Sequence, residues 1–157
     1  MTDTDNPYGC LQRCTMVSRS FIRAGALLIG CGIITCEGAT TSFGNGAQVP
    51  LGLDGDGRNT GCDAEITVAA AADIACNRSE HDAPTQAEYA KQLTRYAAAA
   101  SSPFNVIQAA RVSACPRLCN VFLGAGAQVT SSIVENSTIL SSTEVCFAFI
   151  FSPLSVL

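Results

Sequence analysis

His81 is the only histidine in the chain, and it stands between two carboxylates in Ser79-Glu80-His81-Asp82. A neighbouring carboxylate can orient an imidazole. An imidazole near neutral pH can then take the proton from an acceptor hydroxyl or amine, so His81 is the candidate catalytic base. The ordinary role of a histidine flanked by acids at a loop tip is solvation, and that reading stands beside the catalytic one. Nearby, Leu51 to Thr60 carries Asp54-Gly55-Asp56-Gly57-Arg58, a loop by its glycines. Its aspartates resemble part of a calcium loop but lack the further oxygen ligands and the distal Glu that such a loop needs. Asp56 and Arg58 are instead candidate substrate contacts, lining a groove that would suit a sugar or nucleotide.

The nine cysteines are an odd number, and their close pairs (Cys10 and Cys14, Cys31 and Cys36, Cys62 and Cys76, Cys115 and Cys119) include no C-x-x-C. We therefore assign no metal site and read the thiols as small buried hydrophobes. A disulfide framework would require a secreted chain. A nucleophilic cysteine needs a base beside it, and the spacing pairs none of the nine with His81. Gly30-x-Gly32 and Gly44-x-Gly46 lack the lysine of a phosphate-binding loop. A formal charge of -4, with only Arg13, Arg19 and Arg23 near one another, argues against nucleic-acid binding.

These residues must be placed by a scaffold, and the pattern that describes it is a repeat. Five of seven residues recur between Phe43-Gly44-Asn45-Gly46-Ala47-Gln48-Val49 and Leu123-Gly124-Ala125-Gly126-Ala127-Gln128-Val129. Both have the form of a hexapeptide repeat, a bulky apolar residue every sixth position with a small one four later. Met16, Ile22, Leu28 and Ile34 keep that spacing, followed at four by Ser20, Ala26, Gly32 and Gly38. Hexads restart at Phe43, Ala47 and Val49. They resume at Val106, Val112 and Leu118, slip by one, and continue through Leu123, Val129, Ile133 or Val134, and Leu140.

Between them, Asp63 to Asn77 reads as a helix capped by Asp63, with Ile66, Ala70 and Ile74 on one face. Thr85-Gln86-Ala87-Glu88 reads as a capping box, and Tyr89, Leu93, Tyr96 and Ala100 as an apolar stripe. The expected fold is mainly β: a left-handed parallel β-helix interrupted by an inserted antiparallel α-helical hairpin. Its parts are a loose tail at 1–15, one β-helix from 16–60 and 103–144, the hairpin at 61–102, and an apolar tail at 145–157. About five turns with no visible polar cap suggest a fragment of a longer protein or dependence on a partner.

Leu28-Ile29-Gly30-Cys31 after Arg19 and Arg23 has the form of a lipoprotein cleavage box, with Cys31 as first mature residue. The hexads through the same residues favour a cytoplasmic chain instead. The run from Val145 to Leu157, broken by Pro153, is short for a membrane span, so no membrane association is expected. Asn77-Arg78-Ser79 and Asn136-Ser137-Thr138 match the glycosylation triplet, which matters only for a secreted chain.

The order Cys36-Glu37-Gly38-Ala39-Thr40-Thr41, Phe43-Gly44-Asn45-Gly46, Gly57-Arg58, Asn120-Val121-Phe122-Leu123-Gly124 and Glu135-Asn136-Ser137-Thr138-Ile139 is similar to a family of large left-handed β-helix proteins. Its members, from Bacteroidetes and trypanosomatids, are grouped as a domain of unknown function. The resemblance spans residues 20–144, although Arg58 is followed by Asn59 and Thr60 where the family pattern has Glu. More distantly the hexads resemble the β-helix acyltransferases, which are trimers using acetyl-CoA or another acyl donor and a histidine base. That likeness implies acyl transfer to a sugar or sugar nucleotide by a longer parent, with an acyl donor as the only cofactor. The alternative is a noncatalytic scaffold or oligomerisation module, since fold does not fix function.

Overall fold

Apolar residues at Leu28 and Ile34, then at Ile107, Val112, Leu118, Leu123, Val129, Val134 and Ile139, are all buried in one core, with Val17, Ile22 and Ile150 packed against it. Burying each such side chain stabilises the fold by about 1.5–3 kcal/mol. In the computed structural model, which describes residues 9–50, 59–67, 69 and 83–151, the chain is mainly β and its core is enclosed by parallel ladders.

The first ladder stacks β1 (Cys10–Gln12), β4 (Leu27–Ile29), β9 (Arg111–Ser113), β11 (Gln128–Thr130) and β13 (Glu144–Cys146). The second stacks β2 (Met16–Val17), β5 (Ile33–Thr35), the first half of β10 (Arg117–Leu123), the first half of β12 (Ile133–Ile139) and β14 (Phe149–Phe151). The third stacks β3 (Ser20–Ile22), β8 (Asn105–Ile107) and the second halves of β10 and β12. Following the chain, each pass over the ladders is one coil. Successive coils are 17 residues apart at Cys10 and Leu27, and 16 apart at Arg117 and Ile133.

That period is shorter than the 18 residues of three hexads, and the reason lies at the corners. β10 and β12 run straight from the second ladder into the third, and each bends at one residue in the left-handed region, Asn120 (φ 56°) and Asn136 (φ 47°). Asparagine tolerates that conformation better than most residues. The corner between the first and second ladders is likewise turned by one left-handed residue per coil: Arg13, Gly30, Ala114, Ser131 and Phe147. A small residue follows each, namely Cys14, Cys31, Cys115, Ser132 and Ala148. Inward residues are consequently five or six apart, so Met16 is 45% exposed while Val17 packs on the core, and Ile107 is buried where Val106 was expected.

The chain leaves the second coil after Thr35 and re-enters it at Asn105. The excursion contains β6 (Gln48–Pro50) paired antiparallel with β7 (Asn59–Gly61), and α1 (Ala83–Ala100). Residues 36–50 and 59–60, placed in the β-helix by the hexads, belong to this excursion; residues 51–58 lie outside the described residues. The coil also extends beyond the expected limits, from Cys10 to Phe151. The expected hairpin differs too. Gly61 closes β7, residues 62–67 form a turn in which Asp63 Oδ1 accepts the Glu65 amide at 2.8 Å, and Ala69 is helical; residues 70–77 lie outside the described residues. α1 begins at Ala83, so Thr85 lies within its first turn instead of capping it. Leu93 is buried and Tyr89 donates to the Gly61 carbonyl at 3.1 Å, which seats α1 on β7. Among the described residues no helix is long and apolar enough to cross a membrane.

Candidate functional site

Cys36–Thr41, Phe43–Gly46, Asn120–Gly124 and Glu135–Ile139, far apart in sequence, meet where the excursion departs from the coil. Arg117, at the start of β10, donates from Nε to Glu135 on β12 and from Nη2 to Glu37 at 2.9 Å. Register explains the first pair, because Arg117 stacks on Ile133 and its side chain reaches along the next strand. The second pair exists only because the chain turns away after Thr35. Hydrogen bonding to Glu135 and the carboxylate charges push the Arg117 pKa upward, keeping it protonated. Cys119 lies in the same patch and is buried. Burial first, then the Glu37 charge, raises its thiol pKa, with Arg117 opposing.

Beside this cluster the corner asparagines form a short chain. Asn120 Oδ1 accepts the Glu37 amide at 2.7 Å, and Asn120 Nδ2 donates to Asn136 Oδ1 at 2.9 Å. The Phe43 ring packs tilted on Phe122 with centroids 5.9 Å apart. Asn45 is buried and fully used: Nδ2 donates to the Ser42 carbonyl and to Thr138 Oγ1, and Oδ1 accepts the Ala64 amide at 2.8 Å. Thr138 Oγ1 in turn donates to the Phe43 carbonyl at 3.0 Å. Gly44, at φ 83°, lies so close to the Asn136 carbonyl that a Cβ there would collide with it. The excursion is therefore docked on the third ladder by an aromatic contact and a polar network.

Its neck is closed separately. Thr41 and Ser102 exchange backbone hydrogen bonds of 2.8 and 2.9 Å. Arg19, the left-handed corner residue of the first coil, donates to the Gly38, Ala39 and Pro103 carbonyls and so holds both strands of the neck. At the return point Asn105 is fully buried, donating to Ser20 Oγ at 3.1 Å and accepting the Val121 amide at 2.9 Å.

His81, Asp56 and Arg58 lie outside the described residues. Asn45, from the recurring heptapeptide, and Asn136, from the Asn136-Ser137-Thr138 triplet, enter the site, whereas Gln128 is exposed at the start of β11 and Gln48 starts β6. Arg117 escaped sequence reasoning because nothing local marks it; the coil period linking Asn120 to Asn136 was the one available signal. Among the described residues no group of three or more His, Cys, Asp or Glu side chains is arranged to hold a metal ion. The arginine of the patch is paired with two carboxylates, and Asn120 is bonded both to the Glu37 amide and to Asn136. Such an arrangement holds chain segments together.

Comparison with protein-family models, curated proteins and solved structures finds no match.

Proposed function

We propose that this chain is a left-handed β-helix acting as a noncatalytic scaffold, which self-associates through the outer face of its second ladder. The observation that carries the reading is one outward row of that face, Met16, Ile33, Arg117, Ile133 and Phe149 in continuous register. Met16 is 45%, Ile33 36% and Phe149 74% exposed. Apolar side chains on either side of the ion-paired Arg117 along this row favour contact with another apolar surface. The left-handed winding is part of the proposal and is supported by the small residues at the corners and the recurring apolar ladders.

Light scattering over a concentration series tests the scaffold reading. An oligomer that Ile33→Asp dissociates without loss of β structure supports it; a wild-type chain that stays monomeric throughout contradicts it. Acyl transfer rests on His81 alone. A rise in thermal stability on adding acetyl-CoA would favour that reading over the scaffold.

A further inference from the structure

Three cysteines occupy one inward row at the corner between the first and second ladders. Cys14, Cys31 and Cys115 each follow a left-handed residue, and their backbones are stacked by the Thr15 amide on the Cys31 carbonyl and the Gly32 amide on the Cys115 carbonyl, both 2.9 Å. The thiols repeat one pose. Cys14 Sγ lies 3.6 Å from the Gln12 carbonyl and 3.7 Å from that of Leu28, and Cys31 Sγ lies 3.6 Å from Ile29 and 3.9 Å from Val112. Cys115 Sγ is held at 3.4 Å from Ser113 and 3.5 Å from Val129. Parallel strands run about 4.8 Å apart, within the Cα separations of about 4.4–6.8 Å found across disulfides.

Exposure separates the three. Cys31 and Cys115 are sealed in the core at 1% and 0%, whereas Cys14, in the first coil, is partly exposed. A small disulfide in solution can therefore reach Cys14 and neither of the others. We propose that Cys14 and Cys31 form a reversible disulfide that staples the first coil to the second and, through Arg19 on the first coil, tightens the neck of the excursion.

The oxidant is a low-molecular-weight disulfide. The Cys14 thiolate attacks one of its sulfurs, giving a mixed disulfide and releasing one small thiol. The Cys31 thiolate then attacks Cys14 Sγ, the S–S bond to the small molecule breaks, and a second small thiol leaves. Two protein thiols are oxidised by two electrons, the small disulfide is reduced to two thiols, and both protein protons end on the released thiols. Burial pushes the Cys31 pKa up to about 11, with the facing Cys14 and Cys115 adding to the rise and a backbone bond opposing it, so closure is slow at neutral pH and quickens as pH rises.

The test incubates the full chain with glutathione disulfide, maps disulfides by non-reducing digestion and mass spectrometry, and follows amide exchange at the neck. A Cys14–Cys31 linked peptide, reversed by dithiothreitol, is expected, with exchange at Thr41 and Ser102 slowed several-fold. Cys14→Ser should abolish both effects and Cys115→Ser should preserve both. A stable glutathione adduct left on Cys14, or a bridge from Cys31 to Cys115, overturns the proposal. A Cys14–Cys31 bridge that leaves neck exchange unchanged overturns the link through Arg19.

Discussion

Phe43–Val49 and Leu123–Val129 share five of seven residues and close the same hydrogen bond in two different settings. In each, the alanine amide returns to the first glycine carbonyl at 3.2 Å, Ala47 to Gly44 and Ala127 to Gly124, and the second glycine is left-handed, Gly46 at φ 84° and Gly126 at φ 75°. In each, the first glycine lies against backbone, Gly44 on Asn136 and Gly124 on Leu140 and Ser141. They differ at the outset, where Phe43 (φ 55°) and Gly44 (φ 83°) are left-handed and Leu123 and Gly124 are not, and they part fully after the glutamine. Gln128 continues into β11, flanked on both sides by parallel strands, whereas Gln48 enters β6, which ends at Pro50 and pairs antiparallel with β7. Proline lacks the amide that an interior ladder position must donate. The heptapeptide thus encodes a turn; the residues after it decide whether that turn becomes a coil corner or a docking loop.

Truncating the leading residue of each copy should separate the two settings. Leu123 is fully buried in the coil core, and Leu123→Ala should lower global stability by about 2–5 kcal/mol in chemical denaturation. Phe43→Ala should instead release the excursion, raising amide exchange around Asn45 and Ala64 while the ladder amides stay protected. Equal global losses from both would mean that coil and excursion unfold as one unit.

Titration gives the next effect. The folded pKa of Cys31 is raised from 9.0 to about 11, so its contribution is complete below pH 9 and is lost as pH rises toward 11. That shift corresponds to roughly 2–3 kcal/mol. Denaturation at several alkaline pH values, with Cys31→Ala as control, checks it: the control should lack this part of the decline.

The return point is a smaller target. Asn105→Ala leaves the buried Val121 amide without its acceptor and should cost about 1–3 kcal/mol. Arg19→Ala should lower the local opening energy of the neck by about 1 kcal/mol, visible as faster exchange at Thr41 and Ser102 with little change in global stability.

Much of the core was legible as apolar spacing. Leu28, Ile34, Val112, Leu118, Leu123 and Val129 were all marked, and all are buried. Their phase was harder to read. A single left-handed residue inside β10 and β12 turns a corner without spending turn residues, and nothing in the letter Asn distinguishes that use from a loop asparagine. Met16 and Val106 were consequently marked in place of Val17 and Ile107. At the site, Asn45 lay within the recurring heptapeptide and Asn136 within a glycosylation triplet. The pairing of Glu37 with Arg117 was not, since it depends on where the excursion leaves the coil and leaves no local pattern.

The central claim is that the second coil is continuous in space from Thr35 to Asn105, with residues 36–104 an excursion at one corner. In the third coil the equivalent step, from Cys119 to Val121, takes one asparagine. Replacing residues 36–104 by a single asparagine is therefore the direct test, read by circular dichroism and by amide exchange at Val112, Leu118 and Val129. The account predicts a cooperatively folded β protein with those ladder amides protected, though less stable for the exposure of Phe122. A chain without β structure, or with those amides unprotected, would contradict it.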